Sequence, residues 1–394
     1  MQIQYNEQIQ SKQINNRQIQ SKQINNRQMH NKQIHNKQTN NKLIFNKHNI
    51  YSIIKCIAET AVFPKRTAYI CVIYAALIYI MFLTRISAAA ANNTGIVNTK
   101  HLKYTYSEME SDIYALQNKY QEYVHVNILG TTVDDRNIYE VVLGNPDADR
   151  CVMFQATVHA REYMCSQLVM KQIEYCLVNY EKKYNGESIH DILDKVCIHI
   201  VPMANPDGVT LAQKGIKGIR NKKLRKKLKK MPGISNPSNW KANARGVDLN
   251  RQFDYKFEKN RSLKKYACYA GYGGPGPASE RESKALLYVV DTYNPKAVVN
   301  YHAMGNVIFH NYKADKATAK KTKRLTAKIK KLTGYSYLGT SPGPGFANYL
   351  NRKRGIPSTT VEIGMYTTPV PISQFPTVWK QNKNVMIAVA QMYE

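Results

Sequence analysis

Acidic side chains are scarce in this chain: 27 Asp and Glu stand against 57 Lys and Arg, a formal charge of +30 over 394 residues. Such an excess suits an anionic partner, whether nucleic acid, an acidic membrane face or an anionic polymer. The motifs that would single out nucleic acid are missing. There is no zinc-finger spacing, no RNP-like aromatic motif and no basic-region heptad, so no nucleic-acid partner is expected. Cysteine is also sparse. The seven are unevenly spaced and form no C-x-x-C, which argues against a zinc ribbon or a disulfide framework. Five of them, Cys151, Cys165, Cys176, Cys197 and Cys268, follow the hydrophobic segment. With an odd number, at least one is a free thiol, expected to be buried.

The positive charge is concentrated. Residues 1–91 hold twelve basic residues against two acidic ones, and Lys214–Lys230 holds ten with none. Residues 1–64 are largely low-complexity. The unit that starts at Ser11 returns at Ser21 and then decays into Asn-Lys-Gln variants. This composition builds no core, so a disordered tail is expected, either a real one or an extension read upstream of the true start. Residues 65–91 have another character. Lys65-Arg66 precedes an uncharged, almost wholly apolar run from Thr67 to Thr84, and Ala88–Ala91 follows Arg85. Basic flank, apolar run and small-residue site together read as an export signal, cleaved or kept as a membrane anchor. Everything after it is then expected on the extracellular side, secreted or anchored by residues 67–84.

Residues 104–394 read as one globular domain. Helices are expected at Ser107–Tyr123, Cys165–Tyr180, Ser279–Asp291 (opened by a Ser279/Glu282 capping box) and Phe375–Glu394. Strands are expected at Arg136–Leu143, Cys151–Val158, Val196–Met203, Ala297–Tyr301 and Ser358–Val361. The alternation predicts an α/β fold: a mixed, mostly parallel twisted sheet with helices on both faces.

Three expected strands end in residues with metal or acid–base chemistry. Cys151–Val158 runs into His159-Ala160-Arg161-Glu162, Ala297–Tyr301 into His302, and Ser358–Val361 into Glu362. In α/β folds, ligand sites gather at the carboxyl ends of strands. Two His and one Glu leave a fourth zinc position open for water, and the helical H-E-x-x-H arrangement is absent. Downstream, the Asn250-Arg251 pair has the donors to grip a carboxylate.

These segments, with the Asn205-Pro206-Asp207-Gly208 turn, Gly246–Arg251 and Thr360-Val361-Glu362, occur in an order that resembles the zinc metallocarboxypeptidases, the relatives of carboxypeptidase A. Trp240–Asn243, Gly273–Glu280 and Pro371–Lys380 most resemble the bacterial γ-D-glutamyl-diamino-acid peptidases of cell-wall peptides. The resemblance implies a carboxypeptidase-like fold and one zinc ion on His159, Glu162 and His302. It also implies a general base at Glu362, and a carboxylate grip from Arg251 and Asn250, with a further contact from Arg161. The family's oxyanion-stabilising Arg, placed after a Trp, is matched here by Lys241 after Trp240, so that role falls to Lys241 or to nearby Arg245. Tyr337 is a candidate for the mobile substrate-capping Tyr, and the specificity segment is expected around Gly345–Tyr349, with Phe346 or Ala347 facing substrate.

The expected function is an exported zinc peptidase that cuts beside a residue with a free carboxylate, with a peptidoglycan stem peptide as partner. A general C-terminal trimming enzyme and a non-catalytic wall-binding scaffold are the alternatives. The chain is expected to be monomeric. His199 reads as a packed or surface histidine, and His310 as a possible neighbour of the site. The basic run Lys214–Lys230 reads as a solvated insertion or as an anchor to an anionic wall polymer or membrane face.

Overall fold

Alternating apolar runs and strand-ending turns build a sheet whose central strands are buried on both faces. A computed structural model of the chain describes residues 95–394 other than Leu102, Arg261, Ser262, Asn311, Ser341 and Pro342. The expected tail at residues 1–64 and the apolar segment at residues 65–91 lie outside the described residues. Among the described residues, no helix is long and apolar enough to cross a membrane.

In chain order the elements are α1 (Tyr106–Lys119), β1 (Val124–Thr131), β2 (Asn137–Leu143), β3 (Arg150–Ala156), α2 (Met164–Val178), a small hairpin of β4 (Lys183–Tyr184) and β5 (Glu187–Ser188), α3 (Ile189–Lys195) and β6 (Val196–Val201). There follow α4 (Pro206–Lys214), α5 (Lys222–Leu228), α6 (Arg281–Tyr293), β7 (Val298–His302), β8 (Val307–His310), α7 (Lys316–Thr333), β9 (Ser336–Gly339), α8 (Phe346–Tyr349), β10 (Ser358–Glu362), α9 (Phe375–Asn382) and α10 (Val385–Gln391). Eight strands form one mixed sheet in the order β1-β2-β6-β3-β7-β10-β8-β9. Its centre, β6-β3-β7-β10, is parallel. The period-two alternation of a strand divides the apolar side chains between two cores. Val152, Phe154, Val299 and Tyr301 pack on one face with α1, α2 and α10, whereas Met153 and Val298 pack on the other with α6 and Phe346.

The sequence expectations meet several corrections. The capping box of Ser279 and Glu282 does not form: Glu280 is the N-cap of α6 and makes no side-chain cap bond. Ser279 instead donates to Gln252, and Glu282 is buried. The closing helix is two helices. Buried Asn382 ends α9, and its amide donates to Tyr335 Oη and Val378 O. Helix α7 was not anticipated, because its lysines mask a narrow stripe of Leu325 and Ile329. The Lys214–Lys230 run is not wholly solvated. Leu224 and Leu228 of α5 are buried in a cluster with Trp240, leaving Lys222, Lys223, Lys226 and Lys227 exposed.

One polar junction holds the turn that leads toward the site. Asn205 caps α4 by accepting from Gly208 N at 3.0 Å, and its amide donates to Val158 O (3.0 Å) and Ala242 O (3.1 Å). Next to it, buried Asp207 receives Arg136 Nη1 (2.8 Å), Thr132 Oγ1 (2.7 Å) and Asp134 N (2.9 Å). Arg136 also pairs with Asp134 and donates to Gly218 O. Removing one partner from a buried ion pair strands the other charge at a cost of about 3–5 kcal/mol. Replacing Arg136 by Leu is expected to lower stability by that amount in urea unfolding. An unchanged midpoint would show that the junction is not a stabilising element.

Candidate active site

Strand register assembles the site. Ala156 of β3 lies beside Tyr301 of β7, and His302 of β7 lies beside Glu362 of β10. A further backbone bond, Ile363 N to His302 O at 2.8 Å, fixes the last pair. Beyond β3 the chain turns sharply. Thr157 takes a left-handed backbone (φ +59°), and its hydroxyl donates to Glu162 O and lies 2.7 Å from Ser166 Oγ. Glu162 N donates to His159 O at 3.1 Å, so His159 and Glu162 leave one turn on the same side.

Three side chains converge there. His159 Nδ1 is 2.8 Å from Glu162 Oε1, His302 Nδ1 is 3.0 Å from Glu162 Oε2, and the two Nδ1 atoms are 3.1 Å apart. All three residues are buried. On its far side His159 Nε2 faces the buried Asp248 carboxylate at 3.3 Å. A carboxylate behind a metal-bound imidazole orients the ring and raises its basicity, and Asp248 is placed to do this for His159. Two imidazole nitrogens and a carboxylate converging on one point can share a cation, and His₂Glu is a catalytic zinc donor set. The residues fit the metal. Burial alone would raise the Glu162 carboxyl, but His159 and His302 outweigh it and hold it well below the usual range. Asp248 is likewise held low against burial, by His159 first and then by Lys241 and Arg251.

Glu362 sits beside this cluster in a different state. Burial pushes its carboxyl up to about 7 and Glu162 adds to this, while His302 and Lys241 pull it down. A carboxyl poised near neutrality suits proton transfer in either direction. A cavity of about 280 Å³ opens onto Glu362 and His159, and Lys241, Asn250, Arg251, Ala347 and Thr360 help line it. Backbone links position these residues: Ala160 N donates to Lys241 O at 3.0 Å, and Phe346 N donates to Asn250 Oδ1 at 3.0 Å. Trp240, buried, donates to Asn243 O and anchors the loop that presents Lys241.

The structure thus brings together seven of the expected residues, His159, Glu162, His302, Glu362, Lys241, Asn250 and Arg251. It separates three others. Arg245 lies on another cavity, toward Lys223 and Tyr272, with its guanidinium 3.6 Å from Glu280. Arg161 reaches the Asn239 carbonyl at 3.4 Å and does not line the site cavity. Tyr337 stacks on His310 at the sheet edge, under Lys330, and also lies off the cavity. Of the two specificity candidates, Ala347 lines the cavity, whereas Phe346 packs against Phe253. Sequence reasoning assigned no role to Asp248, Tyr312 or Thr360. Asp248 stood within the quoted Gly246–Arg251 segment. Thr360 could have been found by the two-residue strand period from Glu362. Tyr312 carried no signal.

Comparisons with known proteins agree with this geometry. The family model described as zinc carboxypeptidase matches residues 109–384. A γ-D-glutamyl-L-diamino acid endopeptidase of Lysinibacillus sphaericus is 29% identical over 290 residues, which cover 72% of each chain. Mast cell carboxypeptidase A of Rattus norvegicus is 25% identical over 197 residues, 49% of this chain and 44% of that one. Among solved structures, carboxypeptidase A from Helicoverpa armigera aligns with a TM-score of 0.58 at 17% identity, covering 78% of both chains, a likeness of fold.

Asp248→Asn keeps the shape behind His159 but removes the charge. Loss of such an outer partner typically costs 10–100-fold in metal affinity. Chelator competition is expected to show zinc bound about 10–100-fold more weakly; equal affinity would remove Asp248 from the metal centre.

Proposed function

The chain belongs to the zinc carboxypeptidase family, and from that premise we propose that it acts outside the cell on wall peptides, at the bond between γ-D-glutamate and a diamino acid. It is a zinc-dependent metallopeptidase with a carboxypeptidase-like fold. The observation that carries the substrate reading is the likeness to the Lysinibacillus endopeptidase, which extends over 72% of both chains, while that to the rat carboxypeptidase spans less than half of either. The cavity supports it. Apart from Glu362, the described residues of its lining include no acidic one to select a basic terminal side chain, and Lys241 and Arg251 suit a substrate rich in carboxylates. The basic flank, apolar run and alanine stretch at residues 65–91 support export.

His159, Glu162 and His302 would hold the zinc, which would supply Lewis-acid polarisation of the scissile carbonyl and a more acidic water. Glu362 takes a proton from the attacking water and returns it to the departing amine. Its raised pKa makes it a better base than an ordinary carboxylate, and still acidic enough to be ionised in part at neutral pH. Arg251 and Asn250 grip the free carboxylate of the departing residue, the Arg through its fork of donors. Lys241, rather than Arg245, faces the oxygen on which charge develops, because only Lys241 shares the cavity with Glu362. The exposed lysines of α5 offer an attachment to an anionic wall polymer.

Three outcomes are expected. Glu362→Gln retains zinc and loses activity by about 10²–10⁴-fold, the usual worth of a general base; full turnover by the zinc-loaded variant would sink the assignment. With two substrates, an L-Ala-γ-D-Glu-diaminopimelate peptide is cut, and a blocked dipeptide with a free C-terminus is cut poorly. Cleavage of only the dipeptide would replace the wall-peptide reading with general C-terminal trimming. Changing Lys222, Lys223, Lys226 and Lys227 to Gln leaves Leu224 and Leu228 in place. It should lower the salt needed to elute the protein from purified walls, and unchanged elution would reject the anchor.

A further inference from the structure

Away from the active site, a second set of metal-ligating atoms meets on the sheet. Cys151 of β3 and Cys197 of β6 are direct partners in the parallel ladder. His199 lies two residues beyond Cys197 on β6, so its side chain leaves the same face. The two sulfurs and a His199 ring nitrogen lie within 4.8 Å of one another, and all three residues are buried. Cys197 Sγ is 3.5 Å from His199 Nε2. Zinc bonds of ~2.3 Å to sulfur and ~2.0 Å to nitrogen, at a tetrahedral angle, put those atoms roughly 3.5 Å apart.

The environment is arranged as a metal ligand requires. His199 Nδ1 is 2.9 Å from Oε1 of Glu140, a wholly buried carboxylate on β2. Asn127 holds the other Glu140 oxygen at 2.9 Å. With Nδ1 held by that carboxylate, a cation on the side of the sulfurs would take Nε2 as its ligand, the arrangement that outer carboxylates give to metal-bound histidines. Tyr293, at the end of α6, stacks on the His199 ring with centroids 3.9 Å apart. Its carbonyl oxygen accepts a hydrogen bond from Cys151 Sγ at 3.3 Å. Nothing in the proposed peptidase chemistry uses these groups.

We propose that Cys151, Cys197 and His199 form a second, structural metal site that takes one thiophilic divalent cation of the zinc class. It ties β3 and β6 together and, through Glu140, β2. Two thiolates neutralise the cation, and each thiol gives up its proton on binding. The site would be filled as the chain folds, since all three ligands are buried.

The test uses the full chain as isolated. Elemental analysis should find two zinc ions per chain in the wild type and one in a Cys151→Ser, Cys197→Ser variant. Replacing zinc by cobalt should give a near-ultraviolet sulfur-to-metal charge-transfer band. The active-site ligands contain no sulfur, so the band should survive in His302→Ala and vanish in the double serine variant. One zinc per chain with no such band would overturn the proposal, as would a Cys151–Cys197 disulfide detected by mass spectrometry. If the serine variant does not fold, the wild-type cobalt spectrum and metal count decide alone.

Discussion

The parallel register of β3, β7 and β10 is the constraint on which the rest depends. A strand shows alternate residues to opposite faces, so a slip of one residue in any of the three would turn its terminal ligand away from the others. The pairings Ala156–Tyr301 and Glu362–His302 exclude that slip. Both faces of these strands are buried, and moving them by one would exchange Phe154 and Tyr301 with Met153 and Asn300 between two differently shaped cores. Packing energy spread over the whole sheet thereby fixes a few catalytic atoms.

The loops are then tied to this edge by hydrogen bonds. Asn205 joins the carbonyls of Val158 and Ala242, and Ala160 joins Lys241, so the His159 turn and the Lys241 loop are held side by side. Asp248 links the next segment, touching His159 on one side and accepting from Gly271 N on the other. The electrostatic result is a division among buried carboxylates. Glu162 and Asp248 face imidazoles and stay ionised, whereas burial first, and then the ionised Glu162 beside it, push Glu362 up to about 7. Carboxylates driven apart in this way take different chemical roles on one site.

Much of this was legible in the chain. The central strands are apolar runs that stop at chemistry-bearing residues, so strand type, sheet class and the His159, Glu162, His302 and Glu362 set could be read within a residue or two. What escaped reading was set by tertiary contacts. Lys241 and Arg245 are chemically similar and four residues apart, and only the loop around Trp240 decides which one reaches the cavity. The role of Asp248 depends on a histidine 89 positions earlier in the chain. Helix α7 hides its buried stripe among lysines, and the Ser279 capping box lost its serine to Gln252. Cys197 and His199 looked like unrelated strand residues until β3 placed Cys151 beside them.

The most direct test of the account is a zinc-edge anomalous difference map from crystals of the zinc-loaded protein. The account predicts a peak about 2.0–2.2 Å from Nδ1 of His159, Nδ1 of His302 and a carboxylate oxygen of Glu162, with Glu362 outside bonding distance. A map in which the imidazoles turn away and no peak lies among these three residues would contradict it.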